Sequence, residues 1–333
     1  MSLGLLGLLG LSLVQAGAAF ADNPLGAATH AAETLTFSGR VSVEWFDDQR
    51  EHQTYVTVSS RAGELQINGL SDLVATASQR YLLGANGWDL LSPGDPSALG
   101  PLPPLTAKYT VHEAPGPDII GFQTTEVDLG DPARPDERLY LDRATNLLIR
   151  EEEFDADGEL VRAVGFVQLT ISPGGASSNA GTAPPKPAKA VDDIGRRIGA
   201  TSLPAPYLDP AQLAQGYQRV GVLQAYNGIQ VVYSDGLHGL SVFEHLGSYD
   251  PSSLPATGEP VTVGRARAMR YVWAGGQLVI WRERGATYTG VGDAPAAEVL
   301  AALNELPAAR GGSPWQRLRH ACRRLVQAVS GTW

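Results

Sequence analysis

The sequence predicts an α+β protein built mainly from antiparallel β-strands and divided into two domains. Many short stretches alternate apolar and polar residues with a period of two, which is typical of strands that bury one face. Turn residues separate these stretches at regular intervals, and the chain contains 38 Gly and 23 Pro. Such a pattern is expected of many short strands joined by tight turns. At 333 residues the chain is long enough for two domains that each bury a core.

The N-terminal residues 1–21 predict a signal peptide and therefore an extracytoplasmic protein, in the periplasm or cell envelope. Residues 2–21 carry no charged side chain, and they end in Ala19-Phe20-Ala21, a small-x-small pattern typical of a cleavage site. No Lys or Arg precedes this apolar run. A retained membrane anchor is the alternative, because the run is just long enough to span a bilayer. Glycines within it weaken a helix, which favours cleavage.

The first domain is predicted over residues 22–171. A short helix over residues 24–33 precedes a strand in which Val41, Val43 and Trp45 alternate with polar residues. Regularly spaced turns connect the strands that follow, which predicts an up-and-down antiparallel sheet. The further predicted strands are residues 54–60, 64–68, 81–83, 88–91, 121–129, 138–142, 147–154 and 160–169.

A flexible linker is predicted over residues 172–193, because this stretch is rich in Pro, Gly, Ala and Ser and has almost no apolar bulk. The second domain is predicted over residues 194–309. We expect a short helix over residues 209–215 and a later helix capped by Asp293. The expected strands of this domain are residues 217–225, 231–233, 240–243, 261–265, 268–273, 278–284 and 287–291.

The hairpin over residues 230–244 is the most informative segment of the chain. Two short apolar runs flank Ser234-Asp235-Gly236, which supplies a side chain able to bond its own backbone and a glycine that tolerates positive φ. Periodicity and turn chemistry alone predict only a hairpin in an antiparallel sheet.

Three strings add a resemblance to a known family. YSDGLHGLSVFE (residues 233–244) and YTGVGDAPAAEVLAALNEL (288–306) resemble the C-terminal domain of the MucB/RseB family, extracytoplasmic regulators of envelope-stress sigma factors. Residues 138–169 resemble the last strands of the LolA-like lipoprotein-carrier fold, which is also the N-terminal fold of that family. That fold is a half-open β-barrel wrapped over helices around an apolar cavity. Thr145-Asn146 stands where the family usually has Asn or Asp followed by Gly.

The resemblance implies a non-enzymatic regulator. Its second domain would bind the extracytoplasmic segment of a membrane-spanning anti-sigma factor, and its barrel would sense a lipid or lipoprotein through an apolar cavity. The candidate partner-binding residues are Tyr233, Asp235, Leu237 and His238. The candidate cavity-lining residues are Trp45, Tyr55, Tyr81 and Trp88, with ordinary core packing as the alternative for these aromatic side chains. The runner-up function is a LolA-like lipid or lipoprotein carrier, and a third is a structural module tethered by the N-terminal run.

Motifs of catalysis are absent from the sequence, which contains no GxSxG, HExxH, CxxC or phosphate-binding GK[ST] segment. We therefore predict no enzyme, no cofactor and no metal site. His238 and His245 are interpreted as surface or turn residues, Glu151 to Glu153 as a solvated strand edge, and Asp155 to Gly158 as a hairpin turn rather than a calcium loop. The net charge of −10 argues against nucleic acid as a partner.

The C-terminal residues 310–333 predict a basic amphipathic helix. Trp315 lies on its apolar arc, while Arg319 and Arg323 lie on the flank of the basic side, and no acidic residue follows Glu305. Such a helix lies on an anionic membrane surface, docks into a groove of a partner, or packs on its own acidic domain. The sequence leaves these three alternatives open.

Overall fold

The computed structural model describes residues 24–47, 50–61, 64–69, 73–75, 79–84, 87–93, 102–172, 207–225, 228–247, 256–283 and 285–307. Two antiparallel sheets account for most of these residues, one of eleven strands and one of seven. Within these ranges no helix has the length and apolar character needed to cross a membrane. The predicted signal peptide, linker and basic tail lie outside the described residues, apart from Ser172 at the first position of the linker.

The first sheet is an antiparallel meander that returns on itself, because its first strand pairs with its last. Its eleven strands are β1 (Thr36–Asp47), β2 (Arg50–Arg61), β3 (Glu64–Asn68), β4 (Leu73–Ala75), β5 (Gln79–Gly84), β6 (Gly87–Pro93), β7 (Val111–Ile119), β8 (Phe122–Asp131), β9 (Arg134–Asp142), β10 (Leu148–Phe154) and β11 (Leu160–Ser172). Their order across the sheet is β6-β5-β4-β3-β2-β1-β11-β10-β9-β8-β7, so β6 and β7 form the two open edges.

Helix α1 (Pro24–Thr34) covers the apolar face of this sheet and shows that the sheet is curved. Ala31 belongs to a buried cluster with side chains of β1, β2, β3 and β11, including Val41 and Val43. Leu25 and Ala28, nearer the start of the helix, belong to a second cluster with side chains of β8 and β9. An 11-residue helix is only about 16 Å long. Strands on both sides of the sheet meet this one helix only because the sheet wraps around it, as a half-open barrel does.

The strand predictions for the first domain are confirmed, with boundaries that shift by a few residues. Val41 and Val43 are fully buried, whereas Arg40 and Glu44 lie on the opposite, outer face of β1. Strand β7 was not predicted, because Pro115 and Pro117 interrupt its pattern. Those prolines are tolerated because β7 is an edge strand with one unpaired side.

The second sheet is also antiparallel and carries a single helix within the described residues. Its seven strands are β12 (Gln218–Ala225), β13 (Gly228–Ser234), β14 (Gly239–Leu246), β15 (Glu259–Val263), β16 (Ala266–Trp273), β17 (Gly276–Glu283) and β18 (Ala286–Gly292), in the order β12-β13-β14-β18-β17-β16-β15. Helix α2 (Ala296–Asn304) buries Val299, Ala302 and Leu303 against this sheet. The fold class predicted from the sequence, α+β with mainly antiparallel strands, is confirmed.

Two local predictions in this domain were wrong. Residues 209–215 do not form an α-helix: only a 3₁₀ turn, Ala214–Gly216, is present, and Gln215 has a φ of 62° that no α-helix allows. Asp293 does not cap α2, because its carboxylate instead accepts a hydrogen bond from the backbone N–H of Gly239 at 2.8 Å. A tertiary contact to the turn before β14 therefore replaces the predicted local cap.

One end of the second sheet brings three chain segments together. In the register of the sheet, the β13–β14 turn at residues 234–239, the β16–β17 turn at residues 273–276 and the end of β18 at Gly292 all lie at the same end. Helix α2 begins a few residues beyond Gly292. This end of the second sheet faces the first sheet, and we call the contact region between the two sheets the junction.

Candidate functional site at the junction of the two sheets

Two turns of the second sheet place apolar side chains in the two cores of the first sheet. Leu237, in the β13–β14 turn, belongs to the cluster that contains Leu25, Leu129 and Leu139. Ala274, in the β16–β17 turn, is buried in the other cluster, with Trp273 packed against that cluster. The second sheet therefore covers part of the apolar face around which the first sheet wraps.

Asp235 organises the β13–β14 turn and also ties it to the first sheet. Its Oδ1 accepts hydrogen bonds from the backbone N–H groups of Leu237 at 2.9 Å and His238 at 2.7 Å. Its Oδ2 accepts from Lys108 Nζ at 2.7 Å and from the hydroxyl of Tyr109 at 2.6 Å. Four donors thus satisfy one carboxylate that is 1% exposed. Burial alone would raise the pKa of Asp235, but the charges and hydrogen bonds of His238 and Lys108 outweigh burial and hold this pKa well below its usual range.

His238 lies between the turn and the acidic face of the first sheet. Its Nδ1 is 3.2 Å from the hydroxyl of Tyr109 and 3.7 Å from Oδ2 of Asp235, and its Nε2 is 3.7 Å from Oε2 of Glu137. Burial opposes the charged imidazole, but Asp235, Glu153 and Glu137 together raise the pKa of His238 to about 10. His238 is therefore a buried cation at neutral pH. It donates from Nδ1 to Tyr109, which in turn donates to Asp235.

The first sheet meets this cation with a row of buried acids around one arginine. Glu137 of β9, Glu151 and Glu153 of β10 and Arg162 of β11 are all buried. Arg162 donates from Nε to Glu153 at 2.8 Å and from Nη2 to Glu151 at 3.4 Å. Burial raises the pKa of Glu151 to about 7, even though Arg162 opposes this shift. Burial and the charge of Glu151 likewise raise the pKa of Glu137, while His238 opposes the rise.

Lys108 supplies the third cation and joins the turn to helix α2. Its Nζ contacts Asp235 Oδ2 at 2.7 Å and Glu298 Oε2 at 2.8 Å. Among the described residues, Asp235, His238 and Glu298 are also close enough to one another to ligate a metal ion. The ammonium group of Lys108 lies between the two carboxylates, so the chain itself supplies the cation there. We therefore treat these side chains as an ion-pair network and not as metal ligands.

Three of the four predicted partner-binding residues come together at the junction, and none of the four is exposed. Tyr233 is fully buried in the core of the second sheet, and Asp235, Leu237 and His238 are buried against the first sheet. Interpreting His238 as an exposed surface residue was wrong, since it is 4% exposed. These side chains contact a partner only if the junction opens.

The interpretation of residues 151–153 as a solvated edge was also wrong. Alternation does place Glu152 on the outer face, where it pairs with Arg150. Glu151 and Glu153, however, point to the inner face, which the second sheet covers. The hairpin turn at Asp155 is confirmed, because Asp155 Oδ1 accepts hydrogen bonds from the backbone N–H groups of Asp157 and Glu159.

The predicted cavity residues do not share one face. Trp45 packs against the apolar cluster of β1, β2, β3 and β11 and stacks on His52, and its cavity-lining role stays a prediction. The prediction that Tyr55 lines the cavity was wrong. Tyr55 is 40% exposed and lies on the outer face, where the guanidinium of Arg40 covers its ring at 4.1 Å. Its neighbour Val56 takes the inward position, because adjacent residues of a strand point to opposite faces. The side chains of Tyr81 and Trp88, and the tail residues Trp315, Arg319 and Arg323, lie outside the described residues.

Several junction residues were not predicted as functional. Glu137, Arg162 and Lys108 had no sequence signal of their own, because each is an ordinary charged residue in or beside a strand. A usable signal was present in Glu151 and Glu153. Both lie on the same face of β10 as the buried apolar residue Ile149, since residues two apart in a strand share a face. Charged residues in phase with a core residue indicate a covered polar face.

The β13–β14 turn is packed so closely on the segment before β7 that it requires glycine at position 236. Gly236 has a φ of +102°, and a Cβ there would lie 2.9 Å from the carbonyl oxygen of Pro103 and 3.0 Å from Cα of Leu105. We expect Gly236→Ala to lower the free energy of unfolding by about 2–4 kcal/mol, because it adds overpacking against rigid backbone to an unfavourable φ. The measurement is urea unfolding of the full chain.

Gly285→Ala is the matched control for this prediction. Gly285 has a φ of +87° in another turn of the same sheet, but no atom lies within 4 Å of a Cβ placed there. Its replacement carries backbone strain alone, about 1–2 kcal/mol. Equal losses in the two variants would contradict a close contact between the turn and residues 103–105.

Comparisons with known proteins give the fold. No protein-family profile matches the chain, and no curated protein matches it. A chain in the solved complex of Pseudomonas aeruginosa MucA and MucB is similar, with a TM-score of 0.52 and 14% identity over 86% of this chain and 98% of that one. A crystal structure of MucB has a TM-score of 0.47 and 17% identity over 85% of this chain and 96% of that one. The MucB-type fold expected from the sequence is confirmed.

Proposed function

We propose that this protein is a non-enzymatic extracytoplasmic regulator that binds the extracytoplasmic segment of a membrane-spanning anti-sigma factor. The observation that carries the proposal is the shared fold with a chain from the MucA/MucB complex. The match covers 86% of this chain, which is more than either sheet contains, so it includes both sheets. A carrier that needs only the first sheet does not account for the second.

The apolar face of the first sheet supports a lipid or acylated ligand as the signal. This face already accepts apolar side chains from outside its own sheet, Leu237 in one cluster and Ala274 in the other. An acyl chain has the same chemistry as these side chains, and apolar cavities with few polar groups suit such ligands. In the proposed function, ligand binding at this face lowers the affinity of the protein for the anti-sigma factor.

Affinity capture tests the proposed function. The epitope-tagged full chain is expressed in its own host, and partners are recovered from detergent-solubilised membranes, with an unrelated tagged exported protein as the control. We expect enrichment of a single-span membrane protein that contains a cytoplasmic sigma-binding domain. Recovery of lipid or lipoproteins without any such protein would contradict the proposal and favour the LolA-like carrier.

Lipid and anti-sigma segment are expected to weaken each other's binding. The coupling free energy between two sites is reciprocal, so each ligand must lower the affinity of the other by the same factor. The measurement titrates the captured segment, as a synthetic peptide, with and without a short-chain phosphatidylethanolamine below its micelle concentration. The reverse titration provides the check. Independent binding of peptide and lipid would contradict lipid sensing while leaving the regulator without an identified signal.

A further inference from the structure

The junction holds an unusual balance of buried charge. Four buried carboxyl groups, those of Asp235, Glu137, Glu151 and Glu153, face three cations. Arg162 and Lys108 stay charged at any pH that the folded protein meets: burial lowers the pKa of each, but the neighbouring carboxylates outweigh burial and raise it. His238 has the lowest pKa of the three cations, so it is the first to lose its proton as the pH rises.

The imidazole of His238 is surrounded by titratable groups from every element that packs on it. Its own turn contributes Asp235, and the segment before β7 contributes Tyr109 at 3.2 Å. Strand β9 contributes Glu137, whose Oε2 is 3.7 Å from Nε2. Among the residues that the structure describes, the charged or titratable groups around the turn are Lys108, Tyr109, Asp136, Glu137, Glu151, Glu153, Arg162, Tyr217, Asp235, Asp293 and Glu298.

We propose that the junction is a proton-controlled latch: it is closed while His238 carries its proton, and loss of that proton releases the β13–β14 turn from the first sheet. Deprotonation leaves four buried carboxyl groups with two cations. Buried carboxylates without compensating charge repel one another and lose hydration, so the arrangement that exposes them to water is favoured. The element that moves is the turn, because Asp235, Leu237 and His238 connect it to the first sheet.

The pKa shifts of the buried groups determine how the stability of the closed junction depends on pH. The pKa of His238 rises from its ordinary 6.5 to about 10 in the closed junction. A raised pKa stabilises the closed state fully below the ordinary value, and this contribution is lost as the pH rises toward the higher value. The acids act in the same direction, since the pKa of Glu151 is raised to about 7. Asp235 has a lowered pKa and weakens the junction only in strong acid.

Opening changes what the molecule presents to ligands. Leu237 leaves the apolar cluster of β8 and β9, and the partner-binding residues predicted in the turn reach solvent. This consequence rests on the proposed function, whereas the latch itself does not. An extracytoplasmic protein experiences the pH outside the cytoplasm directly, so the latch would make binding at the junction respond to alkaline conditions.

Amide hydrogen exchange of the full chain tests the latch without any ligand. The reporters are the backbone N–H groups of Leu237 and His238, which both bond to Asp235. Protection factors, corrected for the intrinsic exchange rate at each pH, are measured from pH 6 to pH 9. We expect protection of these two amides to fall by about 200-fold across this range, as the linkage relation requires for a rise in the pKa of His238 from 6.5 to about 10.

Two histidine variants separate the latch from a general effect of pH. His238→Gln should give lower protection at the turn and a clearly weaker dependence on pH, because glutamine carries no titrating charge and only the buried acids still titrate. His245→Gln is the matched control, since His245 lies on β14 of the same sheet, and it should keep the wild-type profile. Constant protection in the wild type, or an unchanged pH slope in His238→Gln, would overturn the proposal.

A direct titration keeps the proposal testable if His238→Gln does not fold. The Cε1 proton of His238 in the wild-type chain reports its protonation by NMR, and we expect its midpoint well above the ordinary 6.5. A midpoint near the ordinary value in the closed protein would refute the latch. Because no partner is present, a missing anti-sigma factor would refute the proposed function and leave this result untouched.

Discussion

Replacing Arg162 with methionine is expected to lower the free energy of unfolding by about 3–5 kcal/mol, since removing one partner of a buried ion network leaves its charges uncompensated. Arg162 is buried and donates hydrogen bonds to both Glu151 and Glu153. Methionine is apolar and similar in length, so lost charge and not lost volume dominates the effect. The measurement is urea unfolding of the full chain at pH 8.5.

The same loss should shrink in acid, which identifies its electrostatic origin. Burial already raises the pKa of Glu151 to about 7, and removal of Arg162 raises the pKa of this group further. The extra cost of Arg162→Met therefore appears above about pH 7 and is relieved below it, where the carboxyl group is protonated in the native state. Repeating the unfolding at pH 5.5 checks this sign.

Arg150→Met is the matched control for Arg162→Met. Arg150 lies on the adjacent strand β10 and donates to Glu152 at 2.8 Å, but on the outer, half-exposed face. We expect this variant to cost less than about 1 kcal/mol, because solvent screens an ion pair at the surface. Equal losses at positions 150 and 162, or a loss at Arg162 that does not depend on pH, would contradict the buried acidic row.

Asp235→Ala is expected to lower the free energy of unfolding by about 3–5 kcal/mol, because it removes a buried charge that faces two cations and leaves hydrogen-bond donors unsatisfied. The substitution deprives Lys108 and Tyr109 of an acceptor and removes the anion closest to Nδ1 of His238. The loss should be accompanied by separation of the two sheets, which small-angle scattering measures as an increased radius of gyration.

Asp155→Ala separates the local part of this effect from the part that involves the first sheet. Asp155 also bonds two backbone N–H groups of its own turn, but no contact to the other sheet depends on it. We expect a loss of only about 1 kcal/mol, the usual value for a turn hydrogen bond. Both substitutions are then repeated in the Lys108→Met background. If Asp155→Ala and Asp235→Ala now lower the free energy of unfolding equally, the coupling between Asp235 and the first sheet runs through Lys108. A loss at Asp235 no larger than at Asp155 would mean that the junction contributes nothing to stability.

Local structure and the order of the segments along the chain could be predicted from the amino-acid sequence. Alternation at Val41 and Val43 sets a strand that buries one face, because the period of side chains along a strand is two. Ser234-Asp235-Gly236 determines its turn, because the carboxylate and hydroxyl bond to nearby backbone groups and glycine takes positive φ. These effects act within a few residues and are therefore visible in the chain.

The surfaces that cover each sheet face could not be predicted, because they depend on contacts between distant segments. Alternation places Glu151 and Glu153 together, but it does not show that a second sheet lies over them. His238 has the sequence context of an exposed turn, and it is buried because its turn enters the first sheet. Asp293 has the context of a helix cap, and it bonds to Gly239 instead. Such contacts join residues far apart in the chain, and their strength comes from excluding water between two surfaces. No pattern within either segment records that exclusion.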